Sequence, residues 1–110
     1  HMGGQDIPIN HVQSLKLYTR GCVDLNDVAA CYMAGLHHQF GYGTPVRWAA
    51  AAPLFERACR HQTTPMASAC RVLAEKLLAE GKTEDARPYL ERCAKDETWC
   101  ALKLQEGPLP

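Results

Sequence analysis

The feature that most restricts this chain is a recurring pair of cysteines. Three times an aromatic residue stands four positions before a cysteine: Tyr18 and Cys22, Phe55 and Cys59, Tyr89 and Cys93. A second cysteine follows each after a short interval, at Cys31, Cys70 and Cys100. The intervals from Cys22 to Cys59 and from Cys59 to Cys93 lie in the mid-thirties. A period of that length, when each unit holds two helices, marks a stack of helical hairpins.

The residues between the cysteines read as helices, and no alternating strand pattern of any length interrupts them. Val12 to Arg20 is expected to form the first, with Leu15, Leu17 and Tyr18. Asn26 or Asp27 caps a second, with Val28, Cys31, Tyr32, Gly35, Leu36 and Phe40 inward and an end near Gly41 to Gly43. Thr44-Pro45 opens a third, which runs through Trp48 and the alanines to Cys59. Thr64-Pro65 repeats the device for a fourth: Thr caps, and Pro takes the first helical position, where a missing N–H costs nothing. Met66, Cys70, Leu73 and Leu77 then form one apolar stripe, and Gly81 stops the helix as a left-handed cap. Thr83 caps a fifth, with Glu84-Asp85 favoured at its positive end and Ala86, Tyr89, Leu90 and Cys93 inward. Asp96 caps a sixth carrying Trp99, Cys100 and Leu104, stopped by Gly107-Pro108. Pro53 and Pro88 fall inside helices, where each deletes a backbone hydrogen bond and is expected to bend its helix.

Length allows one domain, placed at residues 10–107, with 108–110 as a tail. His1-Met2, followed by Gly3-Gly4, has the form of a cloning remnant, so residues 1–9 are read as remnant and flexible N-terminus. A remnant of that kind goes with chains cut from longer proteins, so a removed leader would leave no trace. Lys and Arg number 12, as do Asp and Glu. Balance of this kind supplies neither the basic stripe of a nucleic-acid groove nor a polybasic membrane surface. No apolar run approaches the roughly 20 residues of a spanning helix. Six cysteines without a CxxC spacing argue against zinc and thioredoxin-type chemistry. An oxidising compartment with three disulfides is the simpler reading, although the count alone leaves the pairing open.

"TPVRWAAAAPLFERAC" (Thr44 to Cys59) resembles the second helix of the Sel-one-like repeats, a branch of the tetratricopeptide-like superfamily. Ala51, Phe55, Glu56-Arg57 and Ala58-Cys59 stand where that helix has Ala, an aromatic, an acidic-basic pair and Ala-Cys. "ACYMAGLHHQFGYGTP" (Ala30 to Pro45) is similar to the first helix and its Gly-rich exit. There the family's Cys-Tyr-x-Leu-Gly-x-Leu-Tyr becomes Cys31 to His38, with His37-His38 replacing Leu-Tyr. The resemblance covers roughly residues 12–106 and weakens after Cys59. The connection from Cys59 to Cys70 is longer than the family's, bulging over His61 to Thr64, and the helix after Thr64 lacks the glycine. The type resembled is the cysteine-rich, bacterial secreted one, in which the cysteine ending one helix pair bonds the cysteine opening the next. That implies the bridges Cys22–Cys31, Cys59–Cys70 and Cys93–Cys100. It also implies an all-α, right-handed solenoid of antiparallel helix pairs, with about six helices.

Other constellations were weighed against that architecture. His37-His38, Cys31 and Cys59 with His61 could supply metal ligands, and His38 lies seven residues after Cys31 on one helical face. Their spacing matches no finger, and a ligand cysteine would be withdrawn from a disulfide, so no metal or other cofactor is expected. Ser14 and Ser68 lack a nucleophile elbow. Glu84-Asp85 and Asp96-Glu97 are explained by helix starts, and Glu75, Lys76 and Glu80 by a solvated face. "GYG" at Gly41 to Gly43 is too short for a phosphate loop. No catalytic residue is assigned. Trp48, Tyr18, Phe55, Tyr89 and Trp99 fall at core intervals. His37 and His38 read as a partly exposed helix end or as a polar patch on the concave face. Tyr42, between two glycines, is a contact residue or a ring folded back over the helix pair.

The resemblance implies a non-catalytic module that binds a protein or peptide on a concave face lined by the first helix of each pair. Tyr32, His38, Arg71 and Lys76 are the residues expected there, with Tyr42 beside them. It implies a periplasmic or secreted bacterial protein, a monomer or weak oligomer with no nucleic-acid or membrane partner. The resemblance also implies one alternative, a secreted cysteine-rich repeat enzyme acting on penicillin-type ligands, and the paired cysteines allow a second, an assembly factor of the mitochondrial intermembrane space. Intact mass provides the first test. Reduction should add six hydrogens, one for each cysteine; bound zinc, or six thiols alkylated without reductant, would refute the three bridges.

Overall fold

The structure, a computed structural model, describes residues 10–106, and the expected remnant at 1–9, the stop at Gly107-Pro108 and the tail at 108–110 lie outside them. Six α-helices and no strand occur among the described residues: α1 (His11–Leu25), α2 (Val28–Phe40), α3 (Trp48–Cys59), α4 (Ala67–Ala79), α5 (Thr83–Cys93) and α6 (Thr98–Glu106). Each helix packs on its neighbours in sequence, and non-neighbours barely meet. The result is elongated, 54 × 28 × 27 Å. Its radius of gyration is 15.7 Å, against about 13 Å for a compact domain of about 100 residues.

Helix boundaries follow local chemistry, in places differently from the sequence expectation. α1 runs five residues past Arg20, because Asn26 takes the left-handed conformation (φ 52°) and ends it there. Asparagine tolerates that region better than most residues. Asp27 is then the true cap of α2, its carboxylate accepting from the amides of Ala29 (2.9 Å) and Ala30 (3.2 Å). Neither Thr-Pro pair caps a helix. α3 starts at Trp48 and α4 at Ala67, with Arg47 and Met66 in the cap positions. A proline pushes the residue before it to extended backbone, and here the chain stays extended beyond the ring. The Arg47 amide donates to the carbonyl of His38 (2.9 Å), and the Met66 amide to that of Ala58 (3.0 Å). Each link thus satisfies an orphan carbonyl at the end of the helix it leaves. Thr83 is the first residue of α5 rather than its cap. Asp96 stays in the turn, and the Glu97 carbonyl accepts the first bond of α6 from Ala101 (3.3 Å). Gly81 does end α4, at φ 77°, with Lys82 and Gly81 donating to Leu77 and Leu78 in the paired-bond terminus typical of a left-handed cap. Pro53 and Pro88 both lie inside helices, on exposed positions.

Cys22–Cys31, Cys59–Cys70 and Cys93–Cys100 are disulfides, with Cα separations of 4.5, 4.7 and 5.8 Å. Cys59 and Cys93 are the last residues of their helices, whereas Cys22 sits three residues inside α1. All six sulfurs' residues are at most 1% exposed. The bridges close loops of 9, 11 and 7 residues, each of which stabilises by about 2–3 kcal/mol on a chain-entropy account. Three intramolecular disulfides fit an oxidising environment, and no described helix is long and apolar enough to cross a membrane.

Around the cystines the core is small. Alanines 30, 34, 51, 58, 69, 74 and 86 are buried, and Phe55 is the one large ring at 0% exposure. Phe40, expected inward, is 55% exposed, and His37, expected at a partly exposed end, is buried at 5%. The reason is rotational: the buried side of α2 carries Ala30, Cys31, Ala34, Gly35 and His37, which turns Phe40 outward. The His37 Nδ1–H donates to the Met33 carbonyl at 2.8 Å, while its Nε2 is buried without a hydrogen-bond partner among the described residues. Gly35 faces the Phe55 ring, and a Cβ there would lie 2.8 Å from Cε1. Gly35→Ala should therefore cost about 1–3 kcal/mol through overpacking in urea unfolding. The cost should shrink in a Phe55→Leu background; an equal cost in both would exclude the ring as its cause.

Candidate interaction face

Helix α4 carries two of the residues expected to meet a partner, and each lies on a tryptophan. The Arg71 guanidinium carbon is 4.9 Å from the Trp99 ring centroid, and the Lys76 ammonium 5.4 Å from that of Trp48. Lys103, on α6, covers the same Trp99 at 5.7 Å. Such pairs contribute about 0.5–1 kcal/mol at exposed sites. Arg71 is further held by Glu75 and Glu97, each at 3.1 Å. Hydrogen bonds to Glu97 first, then Glu75, raise its already high pKa, so its charge is permanent. Lys76 reaches Glu80 at 3.8 Å.

Tyr32 is linked to Trp48 and Lys76 through the buried Phe55 ring. Its ring meets the edge of Phe55 at 5.8 Å, Phe55 stacks on Trp48 at 5.8 Å, and Trp48 carries Lys76. Tyr32 and Trp48 are half-buried, packed against the core on one side and reaching solvent on the other. This is the arrangement in which an aromatic presents a rigid, partly wet surface. Trp48, Trp99, Lys103 and Glu97 therefore join the face, although spacing assigns the tryptophans to packing. A signal was present: Trp48 and Trp99 are the first and second residues of their helices. Side chains in a first turn meet the rim of a helix pair rather than its centre. Placing the start of α3 at Pro45 moves Trp48 a turn inward and hides that.

His38 and Tyr42 do not join this group. Tyr42 is 43% exposed, and its ring folds back, stacked on His11 at 5.1 Å and edge-on to His37 at 5.7 Å. The backbone beneath it is tight: a Cβ on Gly43, at φ 75°, would fall 2.5 Å from the His11 carbonyl carbon. Tyr42 thus seals the turn after α2 onto the start of α1. His38 is half-buried at the end of α2. Its pKa is lowered by burial, then by the charges of His37 and Arg47.

On the opposite side, polar side chains join α1, α3 and α5. The Arg57 guanidinium donates to Asn26 Oδ1 (3.3 Å) and the Val23 carbonyl (3.4 Å). His61 Nδ1 accepts from the amides of Thr63 (3.3 Å) and Thr64 (3.0 Å), which leaves the proton on Nε2 to donate to the Asn26 carbonyl (2.9 Å). The enlarged connection over His61 to Thr64 is thereby folded around one imidazole. Further along, the Tyr89 hydroxyl donates to the Glu56 carboxylate, which also accepts from Arg60 (2.7 Å). Comparison with protein-family models, curated proteins and solved structures finds no match to this chain.

The lowered pKa of His38 has a direction for stability. Folding disfavours the charged form, so the unfolded chain binds the proton better. The contribution is complete above the unfolded pKa of about 6.5 and is lost as pH falls through the lower folded value. His38→Gln should flatten the fall of the thermal midpoint between about pH 7 and pH 5. An unchanged slope would assign that fall to other groups.

Proposed function

We propose that the protein is a non-catalytic interaction module, a right-handed solenoid of Sel-one-like helix pairs, which holds a peptide or protein segment across α2, α4 and α6. The observation that carries this reading is the pairing of Arg71 and Lys76, on one helix, with half-buried tryptophans of the helices on either side. Tryptophan, tyrosine and arginine are the residue types that dominate binding energies at protein interfaces. Here they are pre-ordered by disulfide-linked helices, which lowers the entropic cost of binding. Paired charges along the face give a partner both acceptors and donors, while the rings supply apolar contact. A periplasmic or secreted location suits the cystines.

The immobilised protein should capture a partner from its native extract, and Trp99→Ala with Lys76→Ala should weaken that capture by at least about tenfold. Both side chains lie outside the buried core, so circular dichroism should remain that of the parent. A partner retained equally by the double variant would place binding elsewhere on the surface.

A further inference from the structure

Exposed apolar surface is unevenly distributed on this molecule. Of its exposed large hydrophobic residues, Val12, Leu17, Val23 and Leu25 lie on α1, and Phe40, Tyr42 and Val46 lie in or beside the turn packed over the start of α1. Among the described residues, only Leu102 lies elsewhere. Cys22 is the single buried residue of α1. Within the helix, Leu17, Gly21 and Leu25 recur at every fourth position, with Leu17 57% and Leu25 78% exposed. With Arg20 and Asp24 they line a shallow groove of about 350 Å³. Arg20 and Asp24 stand four residues apart on one side of that stripe, and neither forms an ion pair among the described residues.

We propose that this groove is a self-complementary interface, occupied by α1 of a second copy running antiparallel across a two-fold axis. The order of residues is what selects this occupant. An axis level with Gly21 sets Leu17 against Leu25 of the other copy at both ends. It also brings Arg20 to within about 3 Å, along the helix, of the level of the other copy's Asp24. Two apolar contacts and two ion pairs of opposite sign form together, as an isologous contact requires. Gly21 itself lies against α2, where a Cβ would fall 2.9 Å from that of Ala30, so the contact rests on the leucines and the charges. α1 has 15 residues, a length of about 22 Å, so the buried area falls below the roughly 1,200 Å² of a stable interface. The dimer is accordingly weak and forms at high concentration. It leaves the α2–α4–α6 face open and does not depend on a peptide binding there.

Sedimentation velocity and light scattering over a wide concentration range provide the test. The parent should move from monomer to dimer as concentration rises. Arg20→Asp and Asp24→Arg, each of which sets like charges opposite one another, should each weaken dimerisation by about tenfold or more. The double variant Arg20→Asp/Asp24→Arg restores opposite charges and should return to near the parent's constant. Both positions are exposed, and circular dichroism of each variant should match the parent. A protein that stays monomeric at millimolar concentration overturns the proposal. So does a dimer that ignores the single substitutions, or a double variant no better than the singles.

Discussion

Everything in this fold depends on three cystines buried where side chains of a hydrophobic core would otherwise lie. Each joins a helix near its C-terminus to the next near its start, at α1–α2, α3–α4 and α5–α6. The intervening seams, α2–α3 and α4–α5, have no covalent link and rest on packing. The chain therefore alternates covalent and packed joints. A chain of helices like this has few long-range contacts to hold its ends, because each helix packs mainly on its neighbours in sequence. The covalent joints each remove some freedom from the unfolded chain, about 2–3 kcal/mol apiece.

That economy of volume explains where the aromatic residues go. Alanine and cystine fill the centre, and Phe55 alone occupies it as a large ring. The pairing of Gly35 with Phe55 shows how little space remains. Rings that cannot enter are held at the rim, and the rim of an elongated stack is long. Trp48 and Trp99 settle against the helix pairs and are covered by Lys76, Arg71 and Lys103. Half-buried indoles covered by cations thus accompany a core that holds few large rings.

The helices were legible because they rest on period. Aromatic-x-x-x-Cys spacing, apolar stripes and glycine stops each report local geometry directly. Helix starts were less legible, for a physical reason. A Thr-Pro pair can cap a helix or stay extended, and the choice rests on whether the following amide bonds a side chain or a distant carbonyl. Here Arg47 and Met66 bond to His38 and Ala58, partners that only the tertiary arrangement provides. Phe40 and His37 exchanged places for the same kind of reason: a buried imidazole is tolerable when Met33 accepts its proton, and no spacing rule carries that. Of the five contact residues read from the sequence, Arg71 and Lys76 each lie over a tryptophan ring and Tyr32 meets the edge of Phe55. Tyr42 turned inward on His11, and His38 stands apart, because the glycine turn between α2 and α3 folds over α1.

The two long sides of the stack are held by different chemistry. Along α1, α3 and α5 hydrogen bonds predominate: Arg57 and His61 reach back to Asn26, and Tyr89 reaches back to Glu56, with Arg60 over the Tyr89 ring beside them. Along α4 and its neighbours the links are cations on indole rings and exposed ion pairs. The hydrogen bonds are directional, and several end on backbone carbonyls, so they fix the register of one turn against the next. The cation–ring contacts tolerate sliding and reorientation of long side chains at little cost. The enlarged loop between Cys59 and Cys70 belongs to the first kind. Its His61 ties the second cystine joint to the first through Asn26, so the extra residues stiffen the stack at the place where added length would otherwise loosen it.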